Sequence, residues 1–568
     1  MTTHPTTGGA SSDHNSGVDA LIAQVGVDGR RLVQALALLR EGGWWTLADL
    51  VRETATSRRT IEALLRELEL ERDRARDRFR LRAPDSVKSQ DIDAVAAFDP
   101  ADPVGHLLPR HHGVVAELAD LIARAPRGRH VLDHVAATAD TVVRRALLLG
   151  ARFRLAGTRV LCVGDHDLTS LAVALIHPGV EVSVADIDER ILAYIAAEAD
   201  RLGVAVRTRW ADLRLGLPAS LREHADLAVT DPPYTPEGVG LFVARALSGL
   251  RDREQGRVLL AYGASERTPA LALKVQTSLA NLNLAYEAMY PDFNRYHGAE
   301  AIGSAADLYV LRPTTKTWPA VAARADKYGT AIYTQGPQSV EAAAPTLPAD
   351  AGPLLTSADP QLLVGDWPRA ALPGVPRVKL PTWLAKPHAT DPERVAIAVP
   401  LGLEGALPRM LLATRAHRVD ALLHEPVRDL DALQAVLAPV YELAADGRHL
   451  TATRVPAPTG DAARLVRRVL DSAHSRLANT WRESLIKARG SLTKNQARGL
   501  IAAAAPWSAE ATVLELPLHR LRELPGAITA TLAANAPAPS TDPAPAPAMD
   551  AAMDAAMDAA MDAAMDPA

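Results

Sequence analysis

An α/β fold built on a doubly wound, Rossmann-like parallel sheet is predicted for residues 158–320 of this 568-residue chain. Three observations predict it. Short apolar runs alternate with helical patterns at the spacing of parallel strands joined by crossover helices. Acidic residues stand just beyond four consecutive apolar runs, where an open parallel sheet binds its ligands. The first of those loops, Gly164-Asp165-His166-Asp167, carries one glycine and then carboxylates.

Residues 1–18 are polar and are expected to be disordered. Residues 19–83 read as a winged helix: an amphipathic helix over Arg31–Leu39, a second opened by Thr46 as N-cap, a third entered through Arg58 and Arg59, then two short strands around a charged turn. From Arg30 to Arg82 there are thirteen Arg against nine Asp plus Glu. That excess is small, so packing or dimerisation is expected here ahead of DNA binding. Residues 84–157 form a helical connector that ends in a helix from Asp140 to Leu148, carrying Thr141, Arg144 and Arg145.

The strands of the parallel sheet follow as Thr158–Val163, Val180–Ala185, Val204–Trp210, Ala225–Thr230 and Arg257–Tyr262. Helices are expected over Leu168–Ile176, Ile187–Leu202 and Gly238–Leu250, and a closing hairpin over Leu284–Tyr290 and Leu308–Arg312. Residues 335–377 are rich in Pro, Ala and Gly and read as a linker. Residues 378–532 read as an α+β domain without a chemical motif, with a strand at Val395–Val399 and helices over Asp429–Ala445 and Asp461–Ala488. Its basic run, Arg482, Lys487, Arg489, Lys494 and Arg498, reads as a solvated helix face. Residues 533–568, a Pro/Ala tail with Ala-Ala-Met-Asp repeats, are expected to be disordered.

Bulk properties narrow the function. The net charge of −5 argues against a chain built throughout to coat nucleic acid. One cysteine, Cys162, excludes a disulfide framework and a cysteine zinc site, and its apolar surroundings make it a buried, inert thiol. The first residues lack a secretory pattern and no apolar run is long enough to span a bilayer. A cytoplasmic chain without a metal is therefore expected.

The acidic loops carry the chemistry. Asp186 lies about twenty residues beyond Gly164, the spacing at which a carboxylate meets ribose hydroxyls. Asp212 is placed to meet an adenine amino group. Carboxylates in the first loop would repel the phosphates of NAD, FAD or ATP and attract a cationic nucleoside such as a sulfonium. Asp231-Pro232-Pro233-Tyr234 has a stiff proline pair, a carboxylate to accept N–H bonds, and an aromatic wall for a cation.

These segments resemble the branched-chain polyamine synthases, a family with a methyltransferase-type sheet. The resemblance rests on Gly164-Asp165-His166-Asp167-Leu168-Thr169-Ser170, Asp186-Ile187-Asp188-Glu189-Arg190, Thr230-Asp231-Pro232-Pro233-Tyr234-Thr235 and Asp292-Phe293-Asn294-Arg295-Tyr296. It covers about residues 20–320, including the winged-helix layout and the helix with Thr141, Arg144 and Arg145. His166 stands where the family pattern has an aspartate. The resemblance implies aminopropyl transfer from decarboxylated S-adenosylmethionine to a polyamine such as spermidine, releasing methylthioadenosine, with no metal and with a homodimer as the assembly. On that reading Asp231 or Asp167 accepts the proton, Asp165 holds neighbouring ammonium groups and Tyr234 packs against the reacting centre. Gly164, Asp186, Asp212 and Pro232 take the cofactor, and His166, Pro233, Glu237 and Asp292 take the polyamine. Two rivals stand beside it. An S-adenosylmethionine-dependent amino-methyltransferase acting on DNA or RNA would need a basic groove, which residues 158–312 lack. A non-enzymatic regulator would use a degenerate cofactor domain as a sensor.

Overall fold

The computed structural model describes residues 11–26, 29–54, 56, 58–84, 103–263, 268–299, 304–324, 331–342, 347–348 and 351–534. The chain begins with helices Ser11–Gln24, Gly29–Arg40, Leu47–Thr54 and Arg58–Arg66, followed by an antiparallel pair, β1 (Leu70–Asp73) and β2 (Arg78–Leu81). Helix from Ser11 onward corrects the expectation of disorder over residues 1–18, of which 1–10 lie outside the described residues. Val18 and Ile22, one helical turn apart, are buried against Leu36 and Leu64, and that burial orders the segment. Thr46 caps the third helix as expected, its Oγ1 accepting from the Asp49 amide at 3.1 Å. Arg58 at the head of the fourth helix is ion-paired to Glu62 at 2.7 Å. The buried Arg30 donates from Nε to the Ala151 carbonyl at 2.8 Å, joining this unit to the next.

Helices His112–Arg124 and Ala139–Arg152 lead into the seven-stranded sheet. Its strands are β3 (Arg159–Val163), β4 (Glu181–Asp186), β5 (Val206–Trp210), β6 (Leu227–Thr230), β7 (Arg257–Tyr262), β8 (Leu284–Arg295) and β9 (Ala305–Pro313), in the order β5-β4-β3-β6-β7-β9-β8. The first five are parallel because each is followed by a helix or by a return crossing over a face of the sheet. β3, β4, β6 and β7 are mostly apolar and buried, while the edge strand β5 carries Arg207 and Arg209. β9 and β8 close the sheet antiparallel. This is a Rossmann-like α/β fold. The chain leaves the middle strand β3 toward β5, then returns to β6, so the loops after β3 and β6 flank the switch point. Cys162 is buried in β3, and burial pushes its thiol well above the ordinary range.

The expected linker over 335–377 is instead largely structured. It contains the helix Ala351–Ala358 and β10 (Leu362–Val364), an inner strand of a second sheet. That sheet continues with β11 (Arg377–Val378), β12 (Arg394–Ala398), β13 (Arg418–Leu422), β14 (Tyr441–Asp446) and β15 (His449–Arg454), ordered β11-β10-β12-β13-β15-β14. Its first four strands are parallel, so the unit is a mixed α/β layer that starts before residue 378. Proline and glycine punctuate turns here around a three-residue strand whose side chains are all buried. Two predicted helices also break. Leu430–Leu437 is helical, but Tyr441–Asp446 is a strand of a hairpin with the two-residue loop Gly447-Arg448, in which Gly447 takes φ +55° at the first central position. The second divides into Asp461–Leu470 and Leu477–Arg489. Within the basic run, Arg489 turns inward and donates to the Leu532 and Ala534 carbonyls. The expected disordered tail lies outside the described residues from residue 535 onward.

The second unit packs on the β5 side of the first sheet, and one apolar core runs through both. Arg409, fully buried, lies over the Trp210 ring at 4.1 Å, donates to the Leu516 carbonyl at 2.6 Å and pairs with Glu189 at 2.6 Å. Glu189 also accepts from the Leu518 amide at 2.7 Å. Arg209 donates to the Trp507 and Ala509 carbonyls, and Ser220 bonds Glu515. Arg409→Ala removes the cation and leaves Glu189 and the Leu516 carbonyl short of a partner. It is expected to cost about 2 kcal/mol, less than for a fully enclosed pair because Glu189 reaches solvent. Urea unfolding measures this, and an unchanged midpoint would show that the junction does not depend on Arg409.

Candidate active site

The loops at the carboxyl ends of β3, β4, β5 and β6 enclose a cavity of about 400 Å³. That size falls in the range of small-molecule sites, roughly 300–1,000 Å³. Gly164, Asp165, His166, Asp167, Asp186, Asp212, Asp231, Pro232, Pro233 and Tyr234 all line it. So do His134 and Arg145 from before the sheet, Tyr296 from beyond β8, and Tyr333 from the segment after residue 330.

Local sequence positions the loops. Gly164 takes φ +73°, and a Cβ there would lie 3.2 Å from the Phe242 ring. Asp165 accepts from the Ser170 amide through both oxygens, which opens helix Thr169–Ile176 in place of an N-cap. After β6, Thr235 caps helix Pro236–Ser248 by accepting from the Gly238 amide at 2.9 Å. Gly238 is required there, because a Cβ would sit 2.7 Å from the Pro233 carbonyl oxygen.

Arg145 ties the loops together. Its Nη1 donates to Asp167 Oδ2 at 2.9 Å and to Thr169 Oγ1 at 3.3 Å. Its Nη2 donates to Asp231 Oδ2 at 2.6 Å and to the Tyr296 hydroxyl at 3.3 Å, and its Nε donates to Asn294 Oδ1 at 2.8 Å. Asp231 also accepts from Tyr234 at 2.9 Å and from Tyr296 at 2.7 Å. Asp167 spends its second oxygen on the Ala137 amide at 2.8 Å. Asp167 is thus tied on both oxygens within the protein, while Asp231 Oδ1 holds one hydroxyl and keeps room for a ligand. Burial raises the Asp231 carboxyl to about 6, against the pull of Arg145.

The other carboxylates differ. Burial pushes Asp165 up to about 8, so near neutral pH it is largely protonated, which disfavours it as a holder of ammonium groups. Asp186 accepts from the amides of Asp165 at 2.9 Å and Asp188 at 2.7 Å, and burial raises it too. Asp212 is gripped by Arg214, through Nε at 2.8 Å and Nη2 at 2.5 Å. His166 stacks on His134 with ring centroids 4.5 Å apart, and burial lowers both imidazoles, His134 to about 3.

Two expected substrate residues lie elsewhere. Glu237 is exposed in the first turn of its helix and lies outside the cavity lining. Asp292 occupies an irregularity of β8 with φ +51°, its side chain 71% exposed and facing Arg295. From that same segment it is Asn294 and Tyr296 that reach inward. Arg145 was legible in part: Thr141, Val142, Ala146 and Leu149 share its buried face, and an arginine on such a stripe marks a buried ion partner. Residues 332–335 carried no signal, because they follow the last strand in an irregular stretch.

Residues 114–330 match a family model described as the branched-chain polyamine synthase A C-terminal domain. An uncharacterised protein of Methanocaldococcus jannaschii is 39% identical over 181 residues, which is 32% of this chain and 45% of that one. The N(4)-bis(aminopropyl)spermidine synthase of the same organism is 26% identical over 266 residues, 46% of this chain and 75% of that one. This chain therefore spans less than half the length of the first relative. A crystal structure of the branched-chain polyamine synthase from Thermus thermophilus aligns with 53% of this chain and 93% of its own, at 22% identity and a TM-score of 0.33.

The folded chain holds the Asp165 proton up to about pH 8, whereas an unfolded aspartate releases it near 4. The native state therefore binds the extra proton between those values, and stability through this group falls as pH rises across them. Asp165→Asn keeps an acceptor for Ser170 and removes that loss. Its unfolding midpoint should exceed wild type more at about pH 8.5 than at about pH 5. An equal difference at both would show that Asp165 ionises normally.

Proposed function

Residues 114–330 belong to the branched-chain polyamine synthase family, and from that premise we propose that the chain is an aminopropyltransferase acting on a polyamine amine. The observation that carries the reading is the arrangement in which Arg145, Asp167, Asp231, Tyr234 and Tyr296 form one hydrogen-bonded set at the wall of an acidic cavity. One guanidinium serves two carboxylates, so a negative charge is left over when both are ionised. Asp186 stands on the β4 side without a cation bonded to it among the described residues, whereas the charge of Asp212 on the β5 side is matched by Arg214. No glycine-rich phosphate loop is present. Such a cavity suits a donor that is a cation without phosphate or carboxylate, and an acceptor that is a polycation. Decarboxylated S-adenosylmethionine and spermidine have that chemistry, and it agrees with the name of the Methanocaldococcus jannaschii relative, N(4)-bis(aminopropyl)spermidine synthase.

In the reaction the acceptor nitrogen attacks the methylene carbon bonded to the sulfonium. The N–C bond forms, the C–S bond breaks, and its electron pair stays on sulfur, giving neutral methylthioadenosine. Aliphatic amines are protonated near pH 7, with a pKa of about 10.4 for lysine, so the nucleophile must shed a proton. Asp231 takes that role. Asp231 lines the cavity, its Oδ1 accepts from the Tyr234 hydroxyl, and an elevated carboxyl is a better base than an ordinary one. Asp167 steadies Arg145. Tyr234 and Tyr296 fix the Asp231 rotamer, and Pro232 and Pro233 stiffen the loop that carries it. Most of the rate gain is positional.

Purified protein given decarboxylated S-adenosylmethionine and spermidine should release methylthioadenosine, followed by chromatography. Absence of that product, together with methyl transfer from S-adenosylmethionine to DNA or RNA, would replace the reading with a nucleic-acid amino-methyltransferase. Because the base must be deprotonated, kcat should rise with pH through about 6. Asp231→Asn should lower kcat by roughly 10²- to 10⁴-fold with the unfolding midpoint little changed. Full activity in that variant would remove Asp231 from the chemistry.

A further inference from the structure

Beyond the matched residues, the chain re-enters the cavity wall as a short strap, Ile332-Tyr333-Thr334-Gln335. The strap is anchored on every side. Thr235 Oγ1, beside the Asp231 loop, donates to the Ile332 carbonyl at 2.7 Å. Asp133 accepts from the Thr334 amide and hydroxyl at 2.7 and 2.6 Å. The Gln338 carbonyl accepts from the Ile332 amide, and its side chain donates to the Leu401 carbonyl of the second unit at 2.6 Å. A Cβ on Gly238 would lie 2.9 Å from the Ile332 carbonyl oxygen, so helix Pro236–Ser248 approaches the strap closely only because that residue is glycine.

Tyr333 is the residue this strap delivers. It is 4% exposed, and its ring lies 5.7 Å from the Arg214 guanidinium carbon. Arg214 in turn grips Asp212 and donates to the Gly402 carbonyl at 3.1 Å. The Tyr333 hydroxyl has no hydrogen-bond partner among the described residues. Burial raises the phenol against the pull of Arg214, and Asp212, Asp186 and Asp133 raise it further, so it stays a neutral donor. Arg214 and Asp212 belong to the β5 side of the cavity and Asp186 to the β4 side, while Asp133 comes from the segment before the sheet. Tyr234 and Tyr296 serve Asp231 on the β6 side. β5 and β6 are separated by three strand spacings, about 14 Å, which matches a nucleoside carrying a short alkyl arm. A flat ring and an unpaired hydroxyl donor beside carboxylates suit a neutral, planar heterocycle with ring-nitrogen acceptors. They suit a flexible polycation poorly.

We propose that Tyr333 is the specificity-determining wall for the base of a purine nucleoside donor, held in place by the strap and by Arg214. The inference rests on the functional reading above, because it assumes a nucleoside in this cavity. It gives the second unit a part in cofactor binding through Leu401 and Gly402.

Calorimetric titration with methylthioadenosine tests it without turnover. Wild type should bind. Tyr333→Ala and Tyr333→Leu should weaken binding about tenfold, the scale of losing an aromatic contact to a base. Tyr333→Phe should recover most of that, staying within about threefold of wild type for the missing hydroxyl bond. In the coupled reaction, KM for the sulfonium donor should rise in Tyr333→Ala while KM for spermidine stays within about twofold. Unfolding midpoints of the three variants separate loss of contact from loss of fold, and the Tyr333→Leu and Tyr333→Phe contrast stands even if alanine destabilises. Equal methylthioadenosine affinity in wild type and Tyr333→Leu overturns the inference and leaves the function intact. No binding by wild type overturns both.

Discussion

The buried guanidinium of Arg145 is the constraint on which the site depends. A guanidinium has five N–H donors. Here all five are used, on Asp167, Thr169, Asp231, Tyr296 and Asn294. These partners come from the loop after β3, the helix that follows it, the loop after β6, and β8 with the residue beyond it. One side chain therefore sets the relative position of four separate segments. A buried charge is costly unless its hydrogen bonds are complete, so the five contacts are also what allow the cation to be buried at all. Lysine, a point charge with three donors, could not hold two carboxylates and an amide oxygen in one plane.

That cation also divides the labour among the aspartates. Asp165 is buried and Asp231 half-buried in one cavity wall, and burial lifts Asp165 to about 8 and Asp231 only to about 6. Arg145 and the Tyr296 hydroxyl, which contact Asp231 and not Asp165, contribute to the difference, as does the greater exposure of Asp231. Separation of neighbouring carboxyls by environment is the usual route to one acid and one base in a single site. His166 fits the same picture. Stacked on His134 and lowered by burial, it contributes a neutral surface where a third aspartate would have added charge.

The second unit is part of the site's support. Through Arg409 and Glu189 it fixes the start of the helix that follows β4, and through Gly402 and Leu401 it touches Arg214 and the strap. The β5 edge is closed by it. A sheet with one edge fixed by a second layer presents its loops in fewer arrangements.

The parallel sheet, its strand order of appearance and the acidic loops were readable from residue order, because buried parallel strands are continuous apolar runs and because ligands meet such a sheet at its carboxyl ends. Asp165, Asp167, Asp186, Asp212 and Asp231 all line the cavity for that reason. Glu237 and Asp292 do not, since a helix turn and a strand irregularity decide which way a side chain faces, and neither is a property of local pattern. Short β10 hid inside a proline-rich stretch because three residues are too few to show a period. The pairing of Arg145 with two distant carboxylates, the strap with Tyr333 and the docking of the second unit belong to the tertiary structure alone. Each joins residues far apart in the chain, and contacts of that kind are set by how packed layers meet, which periodicity and spacing do not encode.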